Sequence, residues 1–580
     1  GDFHTPNRIA IDAGDNVYVS DYVNHRIQKF DTSGKFLATW GTYGTGDGQF
    51  RYPYGVATDG SGNVFVVEYF NRVQQFDAAG NFITKWGSAG SSDGQFRYPR
   101  GIAIYDGGEC EGTSFFVADA YNYRIQKFSS PGSAHISTDV GKARLNYLRG
   151  DRSNEGKGWG FRERESLLGD IIHSAAVHIG RPNLNWPSGG LFPSAKQSHS
   201  VFVQSQKDRK PVVVVGANDG MLHVFSADDG KEMMSYLPGN LFSTAKSEGY
   251  HYLTDPDYGH RYYVDGTPTV ADTYIRSPFT TTPAWRTVLV GIQGSGGRGL
   301  FALDLTNPDR FSEARSAEIS LWEFTDEDDP HLGHTLARPT IAMLPNGRWA
   351  AIVGNGYEHT ATGTRTSGQA ELFVIFLDGG LDRKWTEGVD YLRIPTGVGS
   401  VARRNGLSTP AVIDTDGDRV ADRVYAGDIH GNLWAFDLSS KLMSEWKVAN
   451  ASPLFSGADR QPIMAKPEII RHPQMPISGN APNLMIFFGT GQYLVAGDNT
   501  TVDTQSFYAV WDKGDHGLKR SNRVQQVFLR TSNGDGRVTD PDRWQELKVD
   551  YKKASKDGRY GWFFDLPDRG ERVVTDARYR

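Results

Sequence analysis

The sequence predicts an all-β protein in which β-propeller blades run throughout the chain. Glycine accounts for 67 of the 580 residues and aromatic residues for 12%, a composition typical of many short strands joined by turns. Units of strand, turn and strand also recur along the chain, with a nearly fixed period at the start and with longer, less regular units afterwards. We therefore expect two domains, residues 1–130 and residues 131–580.

The first domain contains three repeats that share one pattern. Each repeat begins with a proline, and the prolines at positions 6, 53 and 99 are 47 and 46 residues apart. In each repeat an apolar strand then ends in an acidic residue, and arginine marks the start of the next strand. The acidic residues are Asp21, Glu68 and Asp119, and the arginines are Arg26, Arg72 and Arg124. Four short strands per unit, marked by proline, an acidic residue and arginine at these positions, are typical of a β-propeller blade.

This pattern resembles NHL repeats over residues 1–130, and the resemblance implies a fold rather than a function. Because propellers close with about 4–8 blades, we expect an incomplete propeller whose earlier blades lie before Gly1. We interpret Asn24-His25-Arg26 as a polar contact between strands and not as a ligand site, because the arginine recurs without the histidine. Nucleic-acid binding is not favoured, since this segment has 11 Lys and Arg residues against 14 Asp and Glu residues.

The segment from residue 131 to residue 580 contains five clear units of strand, glycine turn and strand, and one partial unit. Strands that contain a proline precede several of these units, which suits a strand at an edge or at its own start. In a propeller blade the innermost strand is followed by hairpins, so this order indicates one blade after another. The five units lie at 212–225, 288–304, 351–376, 424–437 and 486–511.

One loop of this segment is strongly acidic, because Asp414, Asp416, Asp418 and Asp422 lie within nine residues. At this alternating spacing the carboxylates can converge on one point, where they repel each other by about 1–4 kcal/mol per pair. A hard divalent cation removes that repulsion, so the spacing predicts a Ca²⁺ site that also uses a backbone carbonyl near Val420. The spacing matches only the first part of an EF-hand loop, and the flanking sequence predicts strands rather than helices. The alternative is an ordinary Asp/Gly turn that binds nothing.

A series of motifs in the second segment carries a family resemblance. The motifs begin at Leu145, Arg162, Tyr263, Gly354, Asn405, Asp414, Gly427 and Gly561. In this order, and over roughly residues 141–580, they resemble the C-terminal domain of PilC/PilY-type type IV pilus biogenesis factors. The resemblance implies a modified β-propeller with one calcium loop. The family's ligands fall on Asp414, Asp416, Asp418, the Val420 carbonyl and Asp422.

The resemblance also implies a location and partners. Proteins of this family lie at the pilus tip (the fimbrium) or the outer cell surface after secretion through the periplasm, and they promote adhesion and fibre extension. The implied partners are minor pilins and other pilus-tip components, together with a host or surface ligand. This chain departs from the family where NHL repeats replace a long N-terminal region, and it stops soon after Gly570–Val573. We therefore expect both ends to be trimmed.

Other features support weaker hypotheses. Arg149-Gly150-Asp151 spells an integrin-type tripeptide, but we prefer ordinary turn chemistry to receptor binding as its explanation. The stretch from Asn533 to Asp540 hints at a second cation turn, although the alternation of its carboxylates is broken. No apolar run approaches 18 residues, so we expect no membrane-spanning segment.

An enzyme related to quinoprotein dehydrogenases is the alternative function, because those enzymes are also calcium-binding propellers. They often carry a pair of adjacent cysteines over the quinone, whereas this chain has only Cys110. The sequence also contains no nucleophile–base constellation and no metal-hydrolase spacing. We therefore predict a binding and assembly protein with no catalytic residues and no cofactor besides Ca²⁺.

Overall fold

The computed structural model describes residues 2–106, 113–128, 138–156, 160–243, 245, 247–357, 368–457, 460–473, 475, 482–493, 498–525, 528–530, 536–538, 561–566, 568 and 570–576. The chain divides into two compact units, Gly1–Glu163 and Arg164–Arg580. Helix α1 (Thr138–Leu148) falls in the first unit. The units therefore separate at a later position than the end of the regular repeats at residue 130.

The first unit contains one antiparallel sheet for each sequence repeat. The first sheet is formed by β1 (Pro6–Ile11), β2 (Val17–Asp21), β3 (Arg26–Phe30) and β4 (Phe36–Trp40). The second is formed by β5 (Pro53–Thr58), β6 (Val64–Glu68), β7 (Arg72–Phe76) and β8 (Phe82–Trp86). After the short parallel pair β9 (Ser88–Ala89) and β10 (Gln95–Phe96), the third contains β11 (Gly101–Asp106), β12 (Thr113–Asp119) and β13 (Arg124–Phe128).

A buried carboxylate ties together the strands of each repeat in this unit. Asp21 is fully buried and accepts hydrogen bonds from Arg26 Nε at 2.9 Å and Gln28 Nε2 at 3.0 Å. Glu68 and Asp119 bind the equivalent arginines at 2.5 and 2.9 Å; those arginines are Arg72 and Arg124. Burial raises the pKa of Glu68, whereas the hydrogen bonds to Asp21 outweigh burial and lower its pKa. The interpretation of the recurring arginine as a contact between strands is thus confirmed.

Among its described residues, the second unit contains five sheets of four or more strands, which agrees with the five predicted units. The first sheet is formed by β14 (Val177–Ile179), β15 (Val212–Gly216), β16 (Leu222–Ser226) and β17 (Glu232–Tyr236). The second is formed by β18 (Thr269–Ser277), β19 (Thr280–Ile292), β20 (Gly299–Asp304) and β21 (Ser320–Thr325). The third is formed by β22 (Thr340–Met343), β23 (Trp349–Gly354), β24 (Gln369–Phe376) and β25 (Tyr391–Gly399). The short helices α2 (His199–Ser205), α3 (Gly249–Leu253) and α4 (Ser316–Ile319) lie between strands.

The last two of these sheets are larger and include short added strands. The fourth contains β26 (Ala411–Ile413), β27 (Arg423–Gly427), β28 (Asn432–Asp437), β29 (Lys447–Val448), β30 (Phe455–Ser456) and β34 (Leu518–Lys519). The fifth contains β31 (Glu468–Arg471), β32 (Leu484–Gly489), β33 (Ser506–Asp512), β35 (Val524–Gln525) and β38 (Gly561–Asp565). A separate pair consists of β36 (Phe528–Arg530) and β37 (Gly536–Val538).

The hydrophobic core of the second unit lies between neighbouring sheets. Phe373 of β24 packs in a cluster with Val288 of β19. Its neighbour Leu372 packs in a second cluster with Val424 and Trp434 of the fourth sheet. Because successive side chains of a strand point to opposite faces, β24 is covered on both sides by the sheets before and after it. This face-to-face succession of antiparallel sheets is the arrangement of propeller blades, as the sequence predicts.

Glycine at the end of the second strand of a blade allows the chain that enters the next blade to pass close by. A Cβ atom at Gly354 would lie 2.3 Å from the backbone oxygen of Leu407 and 2.5 Å from that of Ser408. Gly216 and Gly427 occupy the same position in their own blades, and a Cβ atom there would lie equally close to residues 264 and 463. Real Cβ atoms do not approach backbone atoms this closely, so these positions require glycine.

Candidate metal centre

The acidic loop joins two strands of the fourth sheet of the second unit, β26 and β27. Its two ends are held together, because Ile413 is paired with Arg423 and the Asp422 N–H donates to the Ile413 carbonyl at 3.0 Å. Within the loop, Gly417 and Arg419 adopt positive φ values of 90° and 72°, which reverse the chain sharply. The predicted strand on each side of the loop is therefore confirmed.

Three of the four predicted aspartates converge. One carboxylate oxygen from each of Asp414, Asp416 and Asp422 lies within 4.8 Å of the others. Asp416 is exposed, whereas the other two are half-buried. Three anionic oxygens this close to one another repel strongly unless a cation lies between them.

Hydrogen bonds inside the loop orient these carboxylates. The two oxygens of Asp414 accept the backbone N–H groups of Gly417 at 2.6 Å and Arg419 at 2.7 Å. Asp422 accepts the Thr415 backbone N–H at 3.2 Å and its hydroxyl at 2.5 Å. These bonds use the loop's own backbone to fix the direction of two of the three carboxylates.

The pKa values of two of the three clustered aspartates are raised by their surroundings. Burial raises the pKa of Asp422, and the charges of Asp416 and Asp414 raise it further against the opposing effect of Thr415. For Asp416, the hydrogen bond from the Asp418 N–H lowers the pKa, but incomplete hydration and the neighbouring carboxylates outweigh it and raise the net value. The local field therefore favours a positive charge, which a bound cation would supply.

Asp418 and Val420 take a different part in the loop. The Asp418 carboxylate does not join the cluster and accepts the Val420 N–H at 2.7 Å. The Val420 side chain is only 5% exposed and packs in the hydrophobic core, which anchors this end of the loop. The assignment of Asp418 and the Val420 carbonyl as ligands remains a prediction.

The base of the loop is attached to both neighbouring blades. On one side the Ala421 N–H donates to the Met343 carbonyl at 2.8 Å. On the other side Arg423 Nη2 lies 2.9 Å from Asp512 of β33, and the Tyr425 hydroxyl donates to the same carboxylate at 2.6 Å. Sequence reasoning missed these contacts because the partners are far apart along the chain. The only signal was that the loop is flanked by strands.

The donor set fits a hard cation. Carboxylate and carbonyl oxygens suit Ca²⁺ and Mg²⁺, whereas softer ions prefer histidine or cysteine ligands. Among the described residues this triad is the only group of three or more acidic, histidine or cysteine side chains close enough to hold a metal ion. The Asp triad can thus hold a metal, and Asp414, Asp416 and Asp422 would supply ligand oxygens.

The other sequence candidates are placed as follows. Arg149-Gly150-Asp151 ends helix α1: the Arg149 N–H donates to the Leu145 carbonyl, and Gly150 has a φ of 98°. This geometry is that of a helix C-terminus. The second cation turn predicted between Asn533 and Asp540 lies largely outside the described residues, and so does Cys110. No helix in the described part of the chain is long and apolar enough to cross a membrane.

Fold and site together define a class of protein: a β-propeller, preceded by further blade repeats, with one acidic loop that can hold a cation. Residues 168–528 match the family model of the PilY1 beta-propeller domain, and the chain belongs to this family. Residues 3–30 match the model of the NHL repeat. The family and the repeat type predicted from the sequence are therefore both confirmed.

Relatives of known name agree with this assignment. A type IV pilus biogenesis factor PilY1 homolog of Xylella fastidiosa is 36% identical over 448 residues, which cover 74% of this chain and 28% of the relative. PilY1 of Pseudomonas aeruginosa strain PAK is 36% identical over 434 residues, which cover 69% and 34%. The chain thus spans about a third of the length of these relatives.

A solved structure also resembles this chain. The crystal structure of the Pseudomonas aeruginosa PilY1 C-terminal domain matches with a TM-score of 0.50 and 30% identity over 69% of this chain and 80% of that chain. The chain is therefore a homologue of type IV pilus biogenesis factors. These relatives are named as type IV pilus biogenesis factors, in agreement with the family predicted from the sequence.

Proposed function

We propose that this chain is the calcium-binding part of a type IV pilus biogenesis factor that promotes pilus assembly and surface attachment through protein contacts. The observation that supports the proposal best is the convergence of Asp414, Asp416 and Asp422 within 4.8 Å. Asp418, the Val420 carbonyl and loop waters would complete the six to eight oxygen ligands that Ca²⁺ takes.

In this proposal calcium acts on the shape of one blade. Bound Ca²⁺ removes the repulsion between the carboxylates and holds the loop between β26 and β27 in one conformation. Because the loop base is bonded to Met343 on one side and Asp512 on the other, calcium would order the exposed tip of the loop above a fixed base. The ordered surface then favours contacts with minor pilins and other pilus-tip components.

The proposed location follows from the partners. The protein would act at the pilus tip or cell surface after passage through the periplasm, and the adhesive ligand would be a host or surface component. Extracellular calcium modules bind with dissociation constants of about 10⁻⁴–10⁻³ M, which suits calcium levels outside the cell. A site of this affinity would be occupied to a large extent outside the cell and would respond to changes in calcium concentration there.

Calorimetric titration of the full chain with Ca²⁺ tests this proposal, with Asp416→Asn as the variant and Asp382→Asn as the matched control. Both aspartates are exposed, and each accepts a backbone N–H from two residues further on at 3.1 Å. Only Asp416 belongs to the triad. We expect a fall in affinity of about tenfold for Asp416→Asn and no change for Asp382→Asn. Equal losses in both variants, or no calcium binding by the unaltered chain, would contradict the proposal.

The proposed role in pilus assembly requires a separate measurement. In cells that produce the complete protein, surface pili are counted for the same two variants. We expect fewer pili with Asp416→Asn and unchanged numbers with Asp382→Asn. Normal piliation in an Asp416→Asn strain whose purified protein no longer binds calcium would leave a structural calcium site without a role in assembly.

A further inference from the structure

Seven aromatic side chains of the first unit form one continuous surface. They come from the residues around the start of the innermost strand of a blade and from the turn after its second strand. Because these two strands are antiparallel, both places lie at the same edge of the sheet. We call this surface the aromatic face; its members are Tyr22, Tyr52, Tyr54, Tyr69, Phe70, Tyr98 and Tyr121.

Each ring of the aromatic face contacts the next. The ring centroids lie 5.7 Å apart for Tyr54 and Tyr22, 5.0 Å for Tyr22 and Tyr52, 6.0 Å for Tyr52 and Phe70, 5.8 Å for Phe70 and Tyr69, 4.6 Å for Tyr69 and Tyr98, and 5.0 Å for Tyr98 and Tyr121. Phe70 and Tyr121 remain 44% and 45% exposed. The surface therefore crosses all three blades of the unit and is open to a partner.

The arginines of the first 130 residues divide into two groups. Three of them, Arg26, Arg72 and Arg124, neutralise the buried carboxylates of the three repeats. The other four accompany the aromatic face, and none of them forms an ion pair with a carboxylate of the described residues. These four are Arg8, Arg51, Arg97 and Arg100. The unit is acidic in total, yet this one edge carries uncompensated positive charge.

Stacking on the rings holds three of these guanidinium groups in place, those of Arg8, Arg51 and Arg100. The guanidinium carbon of Arg100 lies 5.8 Å from the Tyr54 centroid and 5.7 Å from that of Tyr121. Arg51 lies 5.3 Å from the Phe70 centroid, and its buried Nε has no hydrogen-bond partner within the described structure. Arg97 occupies the same repeat position as Arg51. Stacked guanidinium groups lose little further freedom on binding and keep their N–H donors directed outward.

The geometry also decides the class of ligand. Nucleic-acid bases and sugars bind aromatic residues by stacking on open ring faces. Here neighbouring rings are tilted by 30–89° against each other and arginines cover several ring faces, so few open faces remain. Arg8 Nη1 already donates to the Asn7 carbonyl and side-chain oxygens at 3.1 and 3.3 Å. The guanidinium groups of the other arginines offer N–H donors that match carboxylates in bidentate pairs, and exposed ring edges add apolar contact area.

We propose that the aromatic face binds an acidic segment of a partner protein, in which Asp or Glu residues alternate with apolar ones. Tyrosine and arginine are the residues that most often carry binding energy in protein interfaces, and the positive charge of the face complements an acidic partner. This site goes beyond the proposed calcium function, and it uses residues of the other unit.

A peptide-binding experiment on the full chain tests the proposal. The probe is a short fluorescein-labelled peptide of alternating glutamate and leucine, and the control peptide has glutamine in place of glutamate. Arg97→Gln with Arg100→Gln removes two exposed charges from the face, while Phe70→Ala removes apolar area without changing charge. Lys35→Gln is the charge control, because Lys35 is exposed and lies before β4, at the opposite sheet edge.

Fluorescence anisotropy gives the dissociation constants. We expect the double arginine variant to weaken binding of the glutamate peptide at least about tenfold, Phe70→Ala to weaken it severalfold, and Lys35→Gln to have little effect. The glutamine peptide should bind far more weakly. Unchanged binding in both face variants, or an equal loss with Lys35→Gln, would overturn the proposal. So would tighter binding of a single-stranded thymidine oligonucleotide that depends on the same arginines, since the ligand would then be a nucleic acid.

Discussion

Replacing Asp416 by asparagine should stabilise the protein without calcium, and calcium should cancel that advantage. The carboxylate oxygens of Asp414, Asp416 and Asp422 lie within 4.8 Å of each other. At that distance two unit charges repel by roughly 1 kcal/mol in a water-like dielectric and by roughly 3 kcal/mol at an effective dielectric of 20. Since Asp416 is exposed, the lower value applies to its two pairs. Without calcium, Asp416→Asn should therefore stabilise the protein by about 1–2 kcal/mol.

Calcium should cancel this difference between the two proteins. At a free calcium concentration of about a hundred times the dissociation constant, binding stabilises the unaltered protein by roughly 2.7 kcal/mol. If the variant binds about ten times more weakly, the same concentration stabilises it by only roughly 1.4 kcal/mol. The calcium-induced gain should therefore fall by about half, which offsets the advantage that the variant has in the calcium-free state.

Thermal unfolding in EDTA and in calcium measures both effects in one experiment: a higher midpoint for the variant in EDTA, and similar midpoints in calcium. For a unit of this size, 1 kcal/mol corresponds to a shift of about 1–2 °C in the midpoint. Asp382→Asn serves again as the control and should follow the unaltered protein in both conditions. A lower midpoint for Asp416→Asn in EDTA would refute the repulsion argument. A midpoint of the unaltered protein that does not respond to calcium would refute the cation site itself.

Three further predictions concern the fold. Burial lowers the pKa of His223, but hydrogen bonds to two carboxylates raise it from the ordinary 6.5 to about 9. The free energy of unfolding should therefore fall by up to about 3 kcal/mol as pH rises from 6.5 to 9. Urea unfolding at a series of pH values measures this dependence, which His223→Gln should flatten. Glu68→Gln breaks a buried ion pair and should lower the stability of the first unit by about 3–5 kcal/mol. The control Asp47→Asn, at an exposed ion pair, should lower it by about 1 kcal/mol or less. Hydrogen exchange of the first unit measures both values. Gly354→Ala forces a Cβ onto backbone oxygens and should cost at least about 1–3 kcal/mol, whereas thermal scans of Gly259→Ala should match the unaltered protein.

The sequence predicted the blades well because their determinants are local and repeated. Prolines at a period of 46–47 residues mark the start of a blade, and the acidic residue at the end of the second strand meets an arginine only a few positions away. Because only a few residues separate the two partners along the chain, their spacing alone brings them together. The same logic explains why Asp414, Asp416 and Asp422 could be placed at one point in advance.

Prediction was weaker where the backbone turns inside the loop. Alternation of aspartates predicts four converging carboxylates, but positive φ values at Gly417 and Arg419 rotate the chain between them. The Asp418 carboxylate consequently accepts the Val420 N–H instead of joining the cluster. Alternation fixes which residues are near the turn, whereas the direction of each side chain depends on dihedral angles that the pattern does not encode.

The aromatic face shows a different gap between sequence and structure. The repeated arginine–tyrosine–proline run is visible at Arg51 and Arg97, and its periodicity alone suggests a structural role. Only the strand order reveals that these residues share one edge with Tyr22 and Tyr69, which come from the turn after the second strand of each blade. The buried carboxylates already use one set of arginines, so the repeat itself does not require the second set. A repeated residue that the repeat does not need for its own stability is therefore a good candidate for binding.

The contacts at the base of the acidic loop bear on how calcium could influence assembly. Arg423 and Tyr425 both bind the fully buried Asp512 of the next blade, and removal of one partner from a buried pair is costly. The base of the loop is therefore fixed whether or not a cation is present, and the calcium-dependent change must be confined to the exposed residues around Asp416. A partner that senses calcium must then contact the loop tip directly, so an assembly defect should follow substitutions at the tip and not conservative substitutions in the adjacent blades.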